Sequence, residues 1–182
     1  MTADPSIGPK YYGKYKGVIT DNNDLTGTGK LEVQVPDVHG TKKLWAQPCA
    51  PYAYRDHGFF LMPPNGTDVW VEFAAGDRNQ PIWAGFFWPD GGAPAASPDD
   101  LVLKTPSGSI EMKSQDKSPQ LTIKTTKLTL MLSDGAVTID ADGKGKIEIT
   151  DQGNVTASSG GTGKVEVSSA STKVNGTSLE VT

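Results

Sequence analysis

The chain has 182 residues, which suits one or two small domains, and a formal net charge of −4 at pH 7. Its 17 Lys and Arg residues are scattered and form no basic stripe, so the composition argues against nucleic acid as a partner. The single cysteine, Cys49, excludes an intrachain disulfide and a cysteine-based zinc cluster. We expect neither a metal nor another cofactor.

Residues 1–10 are predicted to form an N-terminal arm. They contain no positively charged run followed by an apolar stretch, so we expect neither a signal peptide nor a membrane span at this end. The expected site of synthesis and assembly is the cytoplasm.

The aromatic residues are confined to one part of the chain. All four Trp, five Tyr and five Phe lie between Tyr11 and Trp88. The break coincides with a segment rich in Pro, Gly and Ala over residues 89–98, which is typical of a linker. We therefore predict one domain over residues 11–88, a linker over 89–100 and a second domain over 101–182.

The first domain is predicted to be all-β. Short apolar alternations at residues 15–20, 31–35, 69–73 and 81–86 are separated by clusters of Gly, Pro, Asn and Asp. Residues 44–46 or residues 59–62 would supply a fifth strand. Five strands in about eighty residues favour the small closed barrel of the OB fold, and the many aromatic side chains supply its core.

The second domain has a different pattern, an irregular β repeat. Pairs of apolar residues two positions apart recur along it, separated by turn formers such as Asp134-Gly135 and Asn175-Gly176. Each strand offers only about two aliphatic side chains, so a single copy buries too little apolar surface to offset its chain entropy. Two arrangements would supply the missing core: a single-chain solenoid, or three chains around one axis.

The short strands and the narrow apolar stripe favour three chains. We predict an intertwined trimeric β-helix over residues 101–182. The predicted trimer core consists of Leu128, Leu130, Val137, Ile139, Ile147, Ile149, Val165 and Val167.

Several motifs of the first domain also occur, in the same order and spacing, in a known family. They include the strand end Val35-Pro36 and the turn Phe73-Ala74-Ala75-Gly76-Asp77 that leads to Pro81. On these motifs, residues 10–90 resemble the OB domain of phage baseplate assembly protein V and of VgrG-type spikes. The repeat that follows is similar in architecture to the triple-stranded β-helix of the same family.

The resemblance implies a structural role as the central spike of a contractile phage-tail-like injection system. It implies a homotrimer, a baseplate hub protein at the OB end and transient contact with a target membrane. The protein would be assembled into a virion or an extracellular phage-tail-like particle. No catalytic residue accompanies the matching motifs, so we expect no enzyme activity.

The resemblance implies a tip protein of the PAAR type at the C-terminal end, and the residues there suit a docking site. Two apolar residues lie two positions apart there, and an open strand edge at the end of a sheet invites a partner. The predicted interface consists of Ser178, Leu179, Val181 and Thr182.

Two other functions are compatible with parts of the sequence. OB barrels also bind oligosaccharides or single-stranded nucleic acid, and such a surface would here use Tyr52, Tyr54, Arg55, Phe59 and Phe60. The acidic net charge and the attached repeat argue against this alternative. A cell-wall hydrolase would need two well-placed carboxylates or a metal ion, and no such pair is evident.

Overall fold

The computed structural model describes residues 8–94, 97–113, 119–175 and 177–178. The chain divides into two compact units, residues 1–93 and 94–182, and the division falls within the segment predicted to be a linker. Both units are built of strands, which confirms the all-β class. Among the described residues, no helix is long and apolar enough to cross a membrane.

The first unit contains a closed five-stranded barrel, as predicted. Its strands are β1 (Tyr15–Asp21), β2 (Leu31–Gln34), β3 (Lys43–Pro48), β6 (Asp68–Phe73) and β7 (Pro81–Phe86), in the order β1-β2-β3-β7-β6. All neighbours are antiparallel except β3 and β7. The short helix α1 (Pro36–His39) follows β2, and a separate hairpin of β4 (Ala53–Tyr54) and β5 (His57–Gly58) lies between β3 and β6.

The barrel core follows from the alternation of the strands. In β6, Val69, Val71 and Phe73 are buried while the residues between them are partly exposed. Ile19, Leu31, Val33 and Val35 complete the fully buried aliphatic set. The fifth strand is the one at residues 44–46, whereas residues 59–62 lie outside any strand.

A tight turn connects β6 to β7, as the sequence predicts. The carboxylate of Asp77 accepts a 2.9 Å hydrogen bond from the backbone N–H of Asn79 and a 3.0 Å bond from the side-chain amide of Gln80. These donors hold the pKa of Asp77 below its usual value, with the Asn79 N–H as the largest cause. Gly76 has φ +73°, which a residue with a side chain rarely adopts.

The second unit is one antiparallel sheet of ten strands in chain order. Its strands are β8 (Leu101–Thr105), β9 (Gly108–Lys113), β10 (Gln120–Thr125), β11 (Thr129–Ser133), β12 (Ala136–Asp140), β13 (Gly145–Thr150), β14 (Val155–Ser159), β15 (Lys164–Val167), β16 (Thr172–Val174) and β17 (Thr177–Ser178). Each strand pairs with its neighbours in the sequence. The β repeat is thus present, but the single chain forms a meander and an intertwined β-helix is not confirmed.

Candidate assembly surfaces

One face of the ten-stranded sheet carries two continuous rows of mostly aliphatic side chains. Each strand contributes two residues to this face, and the register places them opposite the two residues of the neighbouring strand. For example, Val137 lies opposite Ile149 and Ile139 lies opposite Ile147. The first ladder is Leu103, Ile110, Ile123, Leu130, Ile139, Ile147, Ala157, Val165 and Val174. The second ladder is Leu101, Met112, Leu121, Leu132, Val137, Ile149, Val155, Val167 and Thr172.

Both ladders are open to solvent in a single chain. Their exposed members range from 37% exposure at Val137 to 60% at Leu101. A groove of about 630 Å³ lies on this face, and Ile147, Ala157 and Val165 are among the residues that line it. Soluble monomers rarely expose an apolar surface of this continuity, so the face is a candidate interface.

Seven of the eight residues predicted for the trimer core lie on these ladders. Leu128 does not, because it lies in the turn before β11, where its N–H donates a 3.1 Å hydrogen bond to the hydroxyl oxygen of Thr125. Leu132 takes the position in the ladder beside Leu130 that is predicted for Leu128. The predicted core also lacks Val155 and Ala157 of β14, which contribute one residue to each ladder.

The opposite face of the sheet is mostly polar. Its central row contains Glu111, Thr122, Thr138, Glu148, Thr156 and Glu166, together with the apolar residues Val102 and Met131. Lysines two residues away on the same strands pair with the glutamates, as in Lys146 with Glu148 at 2.7 Å and Lys164 with Glu166 at 3.0 Å. Thr138 lies opposite Met131 on one neighbouring strand and Glu148 on the other, and it is only 7% exposed. This face suits contact with water.

Of the predicted tip interface, only Ser178 lies among the described residues. The backbone of Ser178 is part of β17, which pairs with β16 through Val174 opposite Thr177 and Lys173 opposite Ser178. Leu179, Val181 and Thr182 lie outside the described residues.

The loop between β1 and β2 is organised by one carboxylate. Asp24 accepts hydrogen bonds from the backbone N–H groups of Thr26, Thr28 and Lys30 at 2.9, 2.8 and 3.1 Å. The hydroxyl of Thr26 donates a further bond of 2.6 Å and is the largest cause of a pKa of Asp24 far below its usual value. Sequence reasoning missed this site, although an Asp followed by Thr two and four residues later is a signal for such a loop.

An aromatic surface lies beside that loop. We call Tyr52, Tyr54, Phe59 and Phe60 the hairpin surface, because they lie on and next to the β4–β5 hairpin. All four are exposed, and they line a cleft of about 400 Å³ together with residues 27–29 and Trp83. Four of the five residues suggested for a saccharide or nucleic-acid surface thus come together, whereas Arg55 is not among the residues that line the cleft.

The barrel matches a known protein family. Residues 15–88 match the type VI secretion system/phage-baseplate injector OB domain. The matched segment begins with β1 and ends just after β7, so it contains every strand of the barrel. The match supports the OB-fold baseplate family and does not distinguish VgrG-type spikes within it. No curated protein matches the sequence.

The two histidines of the first unit have structural partners. His39 lies at the end of α1, where its Nε2 is 2.8 Å from the carbonyl oxygen of Arg78 and its ring packs edge-on against Phe73. Burial lowers the pKa of His39 below its usual value. His57 Nδ1 is 2.8 Å from the carbonyl oxygen of Arg55. In the part of the chain that the structure describes, no three His, Cys, Asp or Glu residues form a group that could hold a metal ion.

Proposed function

We propose that this protein is the central spike of a contractile phage-tail-like injection system. In this role it is a homotrimeric needle that joins the baseplate hub to a tip protein and pierces the target envelope. The baseplate family of the OB domain supports a structural role in such a machine. The observation that carries the needle proposal is the pair of uncovered ladders on the C-terminal sheet.

The ladders require a partner for energetic reasons. Full burial of a Val, Leu or Ile side chain contributes about 1.5–3 kcal/mol relative to exposure. Fifteen such side chains lie on the two ladders, and the exposed members are 37–60% exposed, so covering this face would add a stability comparable with that of a whole small domain. An uncovered face would also be a site of aggregation.

Two ladders per chain suit a cyclic trimer. Each chain of a trimer has two neighbours, so one ladder packs toward each neighbour and the three sheets enclose an apolar axis. The polar face with its Lys and Glu pairs then faces water. Ten strands about 4.8 Å apart give a shaft on the order of 45 Å long.

The side chains on the ladders become smaller toward the C-terminal end. Leu, Met and Ile dominate from β8 to β13, whereas Val, Ala and Thr occupy β14 to β16. Smaller core side chains let the three sheets approach more closely. The needle therefore narrows toward the end that we assign to the tip protein, which suits a device that penetrates an envelope.

The proposal includes two protein partners. The barrel end would bind the hub protein, and the end near β17 would bind a PAAR-type tip protein through residues 178–182. Assembly would take place in the cytoplasm, into a virion or an extracellular particle, with the target membrane touched only during injection. The protein would act without catalysis or cofactor.

Light scattering of the purified protein tests the proposal. We expect a trimer across the accessible concentration range, resistant to SDS without boiling because interlocked sheets unfold slowly. A stable monomer would contradict the needle. A peptidoglycan-release assay is a second check, since measurable release would contradict the purely structural role.

A further inference from the structure

We propose that the cleft beside the β4–β5 hairpin binds a neutral oligosaccharide. The hairpin surface and residues 27–29 line this cleft, whose volume of about 400 Å³ lies within the usual range for small-ligand sites. Neither the ladders nor the predicted tip interface includes these residues. The site is therefore an addition to the proposed function and does not rest on the trimer.

The walls of the cleft are ordered before a ligand binds. On one side, the carboxylate of Asp24 holds the β1–β2 loop through hydrogen bonds from three backbone N–H groups. On the other side, a Cβ at Gly58 would lie 2.7 Å from the carbonyl oxygen of Tyr52, so the hairpin requires glycine there. The two sides come close at Gly29, where a Cβ would lie 3.9 Å from the ring of Phe60. A site built in advance loses less conformational freedom on binding.

The aromatic rings supply the apolar part of the site. A pyranose ring presents a face of C–H groups, which packs against an aromatic ring while the hydroxyl groups at its edge stay free to hydrogen bond. Tyr54 is 75% and Phe60 77% exposed, and Tyr52 and Phe59 are exposed as well. Several rings along one cleft give room for more than one sugar unit, so we expect an oligosaccharide.

The polar groups of the cleft match sugar hydroxyls, which both donate and accept hydrogen bonds. Nδ1 of His57 is 2.8 Å from the carbonyl oxygen of Arg55, so Nε2 remains for a ligand. Among the residues that the structure describes, the carboxylate of Asp56 and the hydroxyls of Tyr52 and Tyr54 make no hydrogen bond within the protein. The cleft thus offers acceptors and donors next to its aromatic rings.

The charge of the cleft disfavours nucleic acid. No Lys or Arg is among the described residues that line it, whereas Asp56 contributes a negative charge. Single-stranded nucleic acid binds through a positively charged groove that follows its phosphates. A neutral sugar meets no repulsion from Asp56.

The same lining disfavours a protein partner, whether the hub or a second copy of this chain. The centres of protein interfaces are depleted of charged residues, yet Asp56 lies in this cleft. An apolar protein surface would remove Asp56 from water without offering it a hydrogen-bond donor. A sugar hydroxyl offers that donor.

Isothermal titration calorimetry of the purified full-length protein with chitotetraose, a neutral oligomer of N-acetylglucosamine, tests the site. We expect saturable binding, and Tyr54→Ala should weaken the affinity about tenfold because it removes a stacking ring. Tyr12→Ala is the matched control. Tyr12 is 70% exposed against 75% for Tyr54 and is not among the residues that line the cleft, so its removal should leave the affinity unchanged.

A second variant keeps every ring. Asp56→Asn removes the charge, and Asn tolerates the φ of +59° at this position, so the hairpin should keep its structure. A charged acceptor forms a stronger hydrogen bond than a neutral one. We therefore expect a several-fold loss of affinity for chitotetraose.

The outcomes separate this inference from the proposed function. Absence of saturable binding at millimolar chitotetraose would overturn the inference, whether the cleft stays empty or another subunit covers it. Equal losses in Tyr54→Ala and Tyr12→Ala would do the same, and oligo-dT that displaces bound chitotetraose would assign the cleft to nucleic acid instead. Light scattering of the same samples reports on the trimer separately, so a monomer that binds chitotetraose would contradict the needle and leave this site intact.

Discussion

The indole Nε1 of Trp83 donates a 3.0 Å hydrogen bond to the carbonyl oxygen of Gly29, 54 residues earlier in the chain. This bond joins β7 to the end of the loop that precedes β2. Trp83 is only 8% exposed, so the bond satisfies a donor that burial has removed from water.

Replacing this donor should destabilise the barrel. Trp83→Phe keeps an aromatic ring but leaves the Gly29 carbonyl without the indole donor, at a cost of about 1–3 kcal/mol in the free energy of unfolding. Urea unfolding followed by far-UV circular dichroism measures the effect. Trp88→Phe is the matched control, because Trp88 is 66% exposed and should change stability little. Equal effects would show that the bond contributes nothing.

Asp24 should make the β1–β2 loop sensitive to acid. The pKa of Asp24 is lower in the folded state than in the unfolded chain. The ionised carboxylate therefore contributes to the free energy of unfolding above the pKa of an unfolded Asp. This contribution is lost as the pH falls through the pKa that Asp24 has in the folded protein. Asp24→Asn has one acceptor oxygen fewer and no charge. We expect faster hydrogen exchange at Thr26, Thr28 and Lys30, corrected for intrinsic rates.

Asp56→Asn is the control for this loop. Asp56 has φ +59°, a conformation that Asn tolerates, so the substitution should leave exchange in the β1–β2 loop unchanged. Unchanged exchange in Asp24→Asn at neutral pH would contradict the role of the carboxylate.

A charge on the ladders should prevent trimer formation. Ile149 lies on the second ladder between Val137 and Val155, and Ile149→Lys would bring three ammonium groups to the axis of the proposed needle. Desolvation costs several kcal/mol for each ion. We expect the yield of soluble trimer to collapse, as measured by size-exclusion chromatography with light scattering.

Thr156→Lys is the matched control on the opposite face. Thr156 lies between Glu148 and Glu166 on the neighbouring strands. A lysine at this solvent-facing position would have a carboxylate of opposite charge on either side. The trimer should survive. If both lysine variants behave alike, the ladders do not form the interface.

Removal of residues 178–182 should separate folding from tip binding. The described pairing from β8 to β16 does not involve these residues, so the truncated protein should remain a trimer. It should lose co-purification of the tip protein and the puncturing activity of the particle. Retention of the tip protein by the truncated trimer would place the binding site elsewhere.

The barrel could be read from the sequence because its signals are local. The alternation around Val69 and Val71 identifies an inward face, and the Gly76-Asp77 turn marks where the chain reverses. The fifth strand stayed ambiguous because two apolar segments have similar patterns. The β4–β5 hairpin was missed because two-residue strands have no detectable period.

For the ladders too, the sequence determined one part of the structure and left another part open. The spacing of two alone determined which side chains share a face, and seven of the predicted residues lie there. The run from Leu128 to Leu132 has the same period in two registers, so the sequence could not choose between the pairs. The tertiary structure chose through Thr125, which bonds with both the N–H and the carbonyl of Leu128 and makes that residue part of a turn. Alternation specifies a face, but only hydrogen-bonded pairing between strands determines which residue enters it.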